Sequence, residues 1–250
     1  PRVLLAAVTG AGLAAAGSAY QGIFHNYLVS PDLLGVSNGA GFGAALGMFL
    51  TAGSTRLAGI LAFLFGLGSV ALTYGISSVK NERSAMTLVL SGVIVSSVFN
   101  ALIALIKLAA DTDSVLPAIT YWLMGSFTGA DYKKCAIAGC AVVSGGIVLY
   151  IMRWRINVLS MGDEEARSLG LNPERERLVI IVASTFITAA CVTVSGIVGW
   201  VGMVMPNIVR RMIGADHQYL IPVSAIGGAV FLMVADLGAR SISAGEIPVG

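Results

Sequence analysis

Long runs free of acidic and basic side chains alternate with short charged clusters along this chain. No Asp, Glu, Lys or Arg occurs in 3–31, 33–55, 57–79, 84–106, 135–152, 178–209 or 218–235. A helix needs about 20 apolar residues to cross the hydrocarbon core of a bilayer, so each run is a candidate span. The run 178–209 is too long for one helix and too short for two full ones, and Gly196, Gly199, Gly202 and Pro206 divide it near Gly196. The pattern predicts eight helices, at 3–22, 36–52, 57–79, 85–108, 134–152, 178–195, 197–212 and 220–241. Backbone groups in lipid must be satisfied within their own segment, and the periodicity is helical or continuous, which excludes barrel strands.

Composition agrees. Charged residues make up 11% of the 250 and apolar ones 56%, whereas soluble domains carry about 25% charge. Too little charge is present to cover a soluble surface or to keep a chain disordered. A net charge of +2 argues against nucleic acid as a partner. The fold class is therefore all-α, a polytopic membrane helical bundle with residues 1–250 as one transmembrane domain. Cys135, Cys140 and Cys191 have no zinc-ligand spacing and read as packing residues.

Basic residues orient the bundle. Lys80, Arg83, Arg153, Arg155, Arg167, Arg175, Arg177, Arg210 and Arg211 fall on one side, against Arg2, Arg56, Lys107, Lys133, Lys134 and Arg240 on the other. The loop 153–177 holds five of the first group, which places it in the cytoplasm. Within it, residues 160–172 predict a short helix. Asp163 or Ser160 can cap its start, Asp163, Glu164 and Glu165 complement its dipole, and Gly170 can supply the left-handed residue at its end. Ala166, Leu169 and Leu171 would leave a small apolar face in water, as a docking surface or as a turn resting on headgroups. On the opposite side, 114–126 predicts a short outer helix containing Pro117, Tyr121 and Trp122, either an interfacial anchor or a lid over a pathway.

Catalytic chemistry finds little support. No phosphate-cradling G-x-x-x-x-G-K-[ST] and no H-E-x-x-H occurs, and the two histidines, His25 and His217, suggest no triad. Gly35, Gly39 and Gly43 follow the small-xxx-small spacing of close helix packing. Asp236 lies inside a span four residues before Arg240, where the two can neutralise each other on one helix face. The remaining intramembrane polar residues are small and neutral: Ser91, Ser96, Ser97, Asn100, Thr185, Thr188 and Thr193. Ser96 and Asn100 share a face and are the candidate pathway residues.

Taken in order, several stretches resemble the membrane-spanning subunits of type II ATP-binding-cassette importers, the iron-siderophore, haem and vitamin B12 permease family. They are Leu33-Leu34-Gly35-Val36-Ser37-Asn38-Gly39-Ala40-Gly41, Tyr121-Trp122-Leu123-Met124-Gly125-Ser126, Gly162-Asp163-Glu164 with Ala166-Arg167-Ser168-Leu169-Gly170-Leu171, and Gly196-Ile197-Val198-Gly199-Trp200-Val201-Gly202. Ala235-Asp236 with Ala239-Arg240, then Glu246-Ile247-Pro248-Val249-Gly250, complete the set.

The resemblance implies a fragment of a ten-helix permease lacking its first and last helices. It also implies a homodimer in the bacterial inner membrane, two ATPase subunits and a periplasmic solute-binding protein. No cofactor is expected on this chain; ATP-Mg would bind the ATPase partner. Gly162, Asp163, Glu164, Ala166, Arg167, Leu169, Gly170 and Leu171 would form a coupling helix docking on that partner. Asn26 and Leu28, with Ser84, Ala85 and Met86, would line cytoplasmic gates, and Arg2 and Arg240 would meet the binding protein. Tyr27 stands where the family commonly has Pro, and Asn207 where it commonly has His. The cargo would be a ferric chelate, haem or a cobalamin-like solute. An ATP-independent carrier relying on Asp236, or a scaffold without flux, are the competing readings.

Overall fold

The computed structural model describes residues 1–53, 55–78, 85–242 and 248–250. Among the described residues ten α-helices follow in order, with one 3-10 turn at Pro31–Leu34: α1 Arg2–Ile23, α2 Val36–Leu50, α3 Thr55–Ser77, α4 Ala85–Ala109, α5 Val115–Leu123, α6 Tyr132–Leu159, α7 Asp163–Ser168, α8 Pro173–Ser195, α9 Val201–Ile213 and α10 His217–Ile242. No strand occurs among the described residues. The fold is an all-α membrane bundle, as the pattern predicts.

Each of the eight expected spans coincides with a helix, but they are not eight equal spans. Six are long and apolar enough to cross a bilayer, namely α1, α3, α4, α6, α8 and α10. Helix α2 has 15 residues and α9 has 13; at about 1.5 Å per residue both fall short of a hydrocarbon core about 30 Å thick. Charge-free sequence measures where a chain can lie in lipid, not how much of it is helical. The break between α8 and α9 sits where the glycines place it: Gly196 takes φ 71° and donates to the Val192 carbonyl at 2.8 Å.

The chain divides into two compact units. The first comprises Pro1–Pro31, Gly129–Thr188 and Gly199–Leu237. Helix α1 is its axis: Ala6, Ala14, Ala16, Ala19 and Tyr20 are fully buried. The close approaches are made at glycine. A Cβ on Gly10 would lie 2.1 Å from the Gly228 carbonyl oxygen, and one on Gly17 would lie 1.8 Å from that of Gly202. In lipid, apolar area gives helices no preference for each other over the tails, so backbone-to-backbone packing at small residues supplies the attraction.

The second unit comprises Asp32–Thr128, Ala189–Val198 and Gly238–Gly250. Helices α2 and α3 pack as an antiparallel pair. A Cβ at Gly39, Gly43 or Gly47 would strike Phe65, Leu61 or Ala58 at 2.5, 2.2 or 2.6 Å, so the glycine stripe is a packing seam. Gly35 stands outside that seam, as the residue before α2 with φ 87°. Helix α5 seats Val115 and Ile119 in the same core as Ala40, Ala44, Met48, Ala58 and Ala62. The predicted outer helix is thus packed on the bundle by one face, with Tyr121 left partly exposed.

Overpacking a well-filled site costs about 1–3 kcal/mol, and at Gly17 the obstacle is backbone that cannot rotate away. Gly17→Val is expected to lower the melting temperature in detergent sharply or to abolish a monodisperse peak. Gly139→Val, where nothing lies within 4 Å of the added carbon, is expected to leave both unchanged.

Candidate functional site

Helix α6 ends at Leu159, and three turn residues redirect the chain into α7. Ser160, Met161 and Gly162 donate backbone N–H groups to the carbonyls of Ile156, Val158 and Leu159 at 2.9, 3.1 and 3.2 Å. Gly162, not Ser160 or Asp163, is the residue before the helix; its φ of 137° is glycine-only backbone, and it makes no side-chain cap. Asp163 turns instead to Arg177 on α8, whose side chain is 3% exposed, with Nη2 donating to Oδ1 at 2.6 Å. Arg155 and Glu176 pair beside it at 2.8 Å. A helix of six residues has little stability of its own; the Asp163–Arg177 pair ties its start to α8.

The far end is closed as a Schellman motif. Gly170 takes φ 80°, its N–H meets the Arg167 carbonyl at 3.0 Å, and the Leu171 N–H meets that of Ala166 at 3.0 Å. The expected apolar face is redistributed. Ala166 is fully buried, anchoring α7 from behind, and Leu171 is half-buried, so only Leu169 of the three projects. Met161, which pattern reading passed over, projects with it: the two are 67% and 58% exposed. Together with Glu164, Glu165 and Ser168 they line an open cavity of about 410 Å³. Arg167 is exposed beside them.

The connection after α1 lies in the same unit. His25 adopts φ 51°, and its Nε2 lies 2.7 Å from the Leu159 carbonyl oxygen. Asn26 accepts the Leu28 N–H on Oδ1 at 2.9 Å, an Asx turn that leaves Leu28 75% exposed. The Tyr27 carbonyl accepts from Asn207 Nδ2 at 2.8 Å, Arg210 stacks over the Tyr27 ring at 4.0 Å, and Arg210 Nη1 donates to Asn207 Oδ1 at 2.9 Å. The two positions that depart from the family pattern, Tyr27 and Asn207, therefore bond to each other.

Just before α10, Asp216 accepts from the Asn157 amide of α6 at 2.6 Å, and Asn157 Oδ1 accepts the His217 N–H at 2.8 Å. The Gln218 backbone N–H and the Asn157 amide hold the Asp216 carboxyl below the usual carboxylate range. No sequence signal ties position 157 to 216.

Of the second gate segment, Ser84 lies outside the described residues; Ala85 is half-buried and Met86 is 66% exposed at the start of α4, in the second unit. On the same helix Ser96 is half-buried and Asn100 exposed.

Arg2 is engaged within the first unit. Its Nη2 and Nε approach Asp236 Oδ1 at 2.9 and 3.0 Å, and the Asp236 side chain is 1% exposed. The partner of this intramembrane acid thus comes from the opposite end of the sequence. Arg240, four residues further along α10, is exposed.

Comparison with known proteins agrees with this architecture along its whole length. The model of the FecCD transport family matches residues 1–250. The molybdate import system permease protein MolB of Haemophilus influenzae is 39% identical over 251 residues, covering 100% of this chain and 74% of that protein. A probable iron chelatin transport system permease protein of Helicobacter pylori is 39% identical over 252 residues, covering 100% and 75%. A solved inward-facing chain described as a metal-chelate type of ABC transporter shares 37% identity and a TM-score of 0.93, over 100% of this chain and 79% of that one. Because the likeness runs through every helix and not through one motif, the chain belongs to the FecCD transport family, as a multi-pass permease subunit of an ABC importer in the bacterial inner membrane.

Proposed function

We propose that two copies of this chain form the path of an ATP-driven importer, with α7 as the docking segment for a separate ATPase subunit. One observation carries the reading. Helix α7 is fixed from behind by Ala166 and by the Asp163–Arg177 pair, yet presents Leu169 and Met161 outward beside an open cavity. Exposed apolar side chains on a rigid, capped stub suit a partner's groove. Glu164, Arg167, Gly170 and Leu171 shape that surface, and Gly162 and Asp163 fix its angle. ATP-Mg would bind the partner and displace α7. Asn26 and Leu28 in the first unit, and Ala85 and Met86 in the second, would each serve as cytoplasmic gate residues, and Ser96 and Asn100 would offer hydrogen bonds to a solute. Asn100 is an exposed amide on an apolar helix, a placement that lipid disfavours and a watered path favours. Arg2 and Arg240 would each meet acidic residues of a periplasmic binding protein.

The cargo we assign is a ferric chelate. Relatives of equal similarity carry names for molybdate and for iron chelatin import, so similarity alone does not choose. The polar residues available to the path are neutral, which suits a bulky chelate whose charge is already balanced by its iron. The competing carrier reading needs a proton-exchanging Asp236; its ion pair with Arg2 counts against that role.

Exposed positions tolerate substitution within about 0.5 kcal/mol, so Leu169→Glu is expected to leave the permease folded while abolishing one-to-one co-elution of an ATPase subunit from mild detergent. Retained co-elution would overturn the docking role. For the cargo, cells expressing the full system are expected to accumulate radio-iron supplied as a siderophore chelate. Accumulation of molybdate with no iron uptake would replace the ferric assignment.

A further inference from the structure

We propose that His25 is a positioning residue that ties the gate loop to the stem of α7, so that a displacement of α7 carries Leu28 with it. The proposal rests on the reading of α7 as the ATPase-docking segment. Its geometry lies wholly within the first unit.

The bond lands at a telling place. The Leu159 carbonyl that receives His25 also receives the Gly162 N–H, so it is the hinge carbonyl of the turn into α7. Since a carbonyl only accepts, His25 Nε2 carries the hydrogen. Among the described residues His25 is one of three non-glycine residues with positive φ, at 51°, a conformation uncommon for a residue with a Cβ.

Other bonds fix the remainder of the loop elsewhere. Tyr27 is held to α9 through Asn207 and Arg210, and Val29 is buried beneath with its carbonyl facing Gln21 of α1. Leu28 stands between these anchors, 75% exposed. With His25 in place the loop is attached at one end to the α6–α7 turn and at the other to α9. Without it, the end nearest α7 is released.

The test uses the full-length permease with its ATPase subunit in lipid vesicles. Cys140, the exposed native cysteine, is replaced by Ser, and Leu28→Cys is labelled with a maleimide with and without ATP-Mg. ATP is expected to change the labelling rate by about fivefold or more, the lower end of ordinary allosteric coupling. His25→Asn tolerates left-handed backbone but cannot reach Leu159, and is expected to lose most of that change while the ATPase still co-elutes and hydrolyses ATP. His25→Gln, whose amide has comparable reach, is expected to restore it. His25→Gly, which keeps the backbone and removes the side chain, must behave as His25→Asn does, and serves if that variant is unstable. A full ATP response in both His25→Asn and His25→Gly would overturn the proposal. An absent ATP response in the parent, with no bound ATPase, would overturn the docking reading and this inference with it.

Discussion

The closeness of α1 to its neighbours at Gly10 and Gly17 is the constraint on which the first unit depends. At these positions backbone touches backbone, and the carbonyls of Gly228 and Gly202 occupy the space a side chain would fill. Burying apolar area does not draw helices together in lipid as it does in water, so contact density at small residues must do so. Once α1 is fixed as axis, its two ends inherit their positions. One end brings Arg2 to Asp236 on α10. The other brings Gly22 against His217 and Ile156 and delivers His25 to the end of α6.

Several of the small hydroxyls along the helices obey a second discipline. Ser18, Ser69, Thr188, Thr193, Ser195 and Ser97 each return their hydroxyl to a carbonyl three or four residues earlier in their own helix. Thr185 meets the buried Tyr20 hydroxyl at 3.1 Å. These residues satisfy themselves and ask nothing of a solute. Asn100 is different, because an amide carries more donors and acceptors than local back-bonding absorbs. The neutral polar residues that look alike in sequence are thereby divided into packing groups and a candidate path.

Helix positions were legible in the sequence because each is set by local, periodic signals: charge-free runs, a glycine break at Gly196, a small-residue seam on α2. Helix lengths were less so, as the short α2 and α9 show. The partners of charged residues were not legible at all. Asp163 had the chemistry of a helix cap and became half of an ion pair with Arg177; Asp236 had a basic neighbour four residues away and is reached by Arg2 from the other end of the chain. In both cases the choice is made by which helices lie adjacent, information that spacing along one helix does not contain. Tyr27 and Asn207 were visible as departures from a pattern, but only the fold joins them.

The same logic explains how a helix as short as α7 keeps its shape. Six residues cannot hold a helical shape against a load by their own hydrogen bonds, since nucleation is costly and few bonds repay it. What keeps α7 rigid is external: the Ala166 contact beneath it, the Asp163–Arg177 pair at its start and the Gly170 closure at its end. A segment stiffened in this way moves with whatever holds it, which here is the α6 terminus and the start of α8. The loop after α1 is fastened to that same α6 terminus through His25. On the proposed reading, docking surface and gate would share a support, and the sharing would follow from how marginal helices must be stabilised.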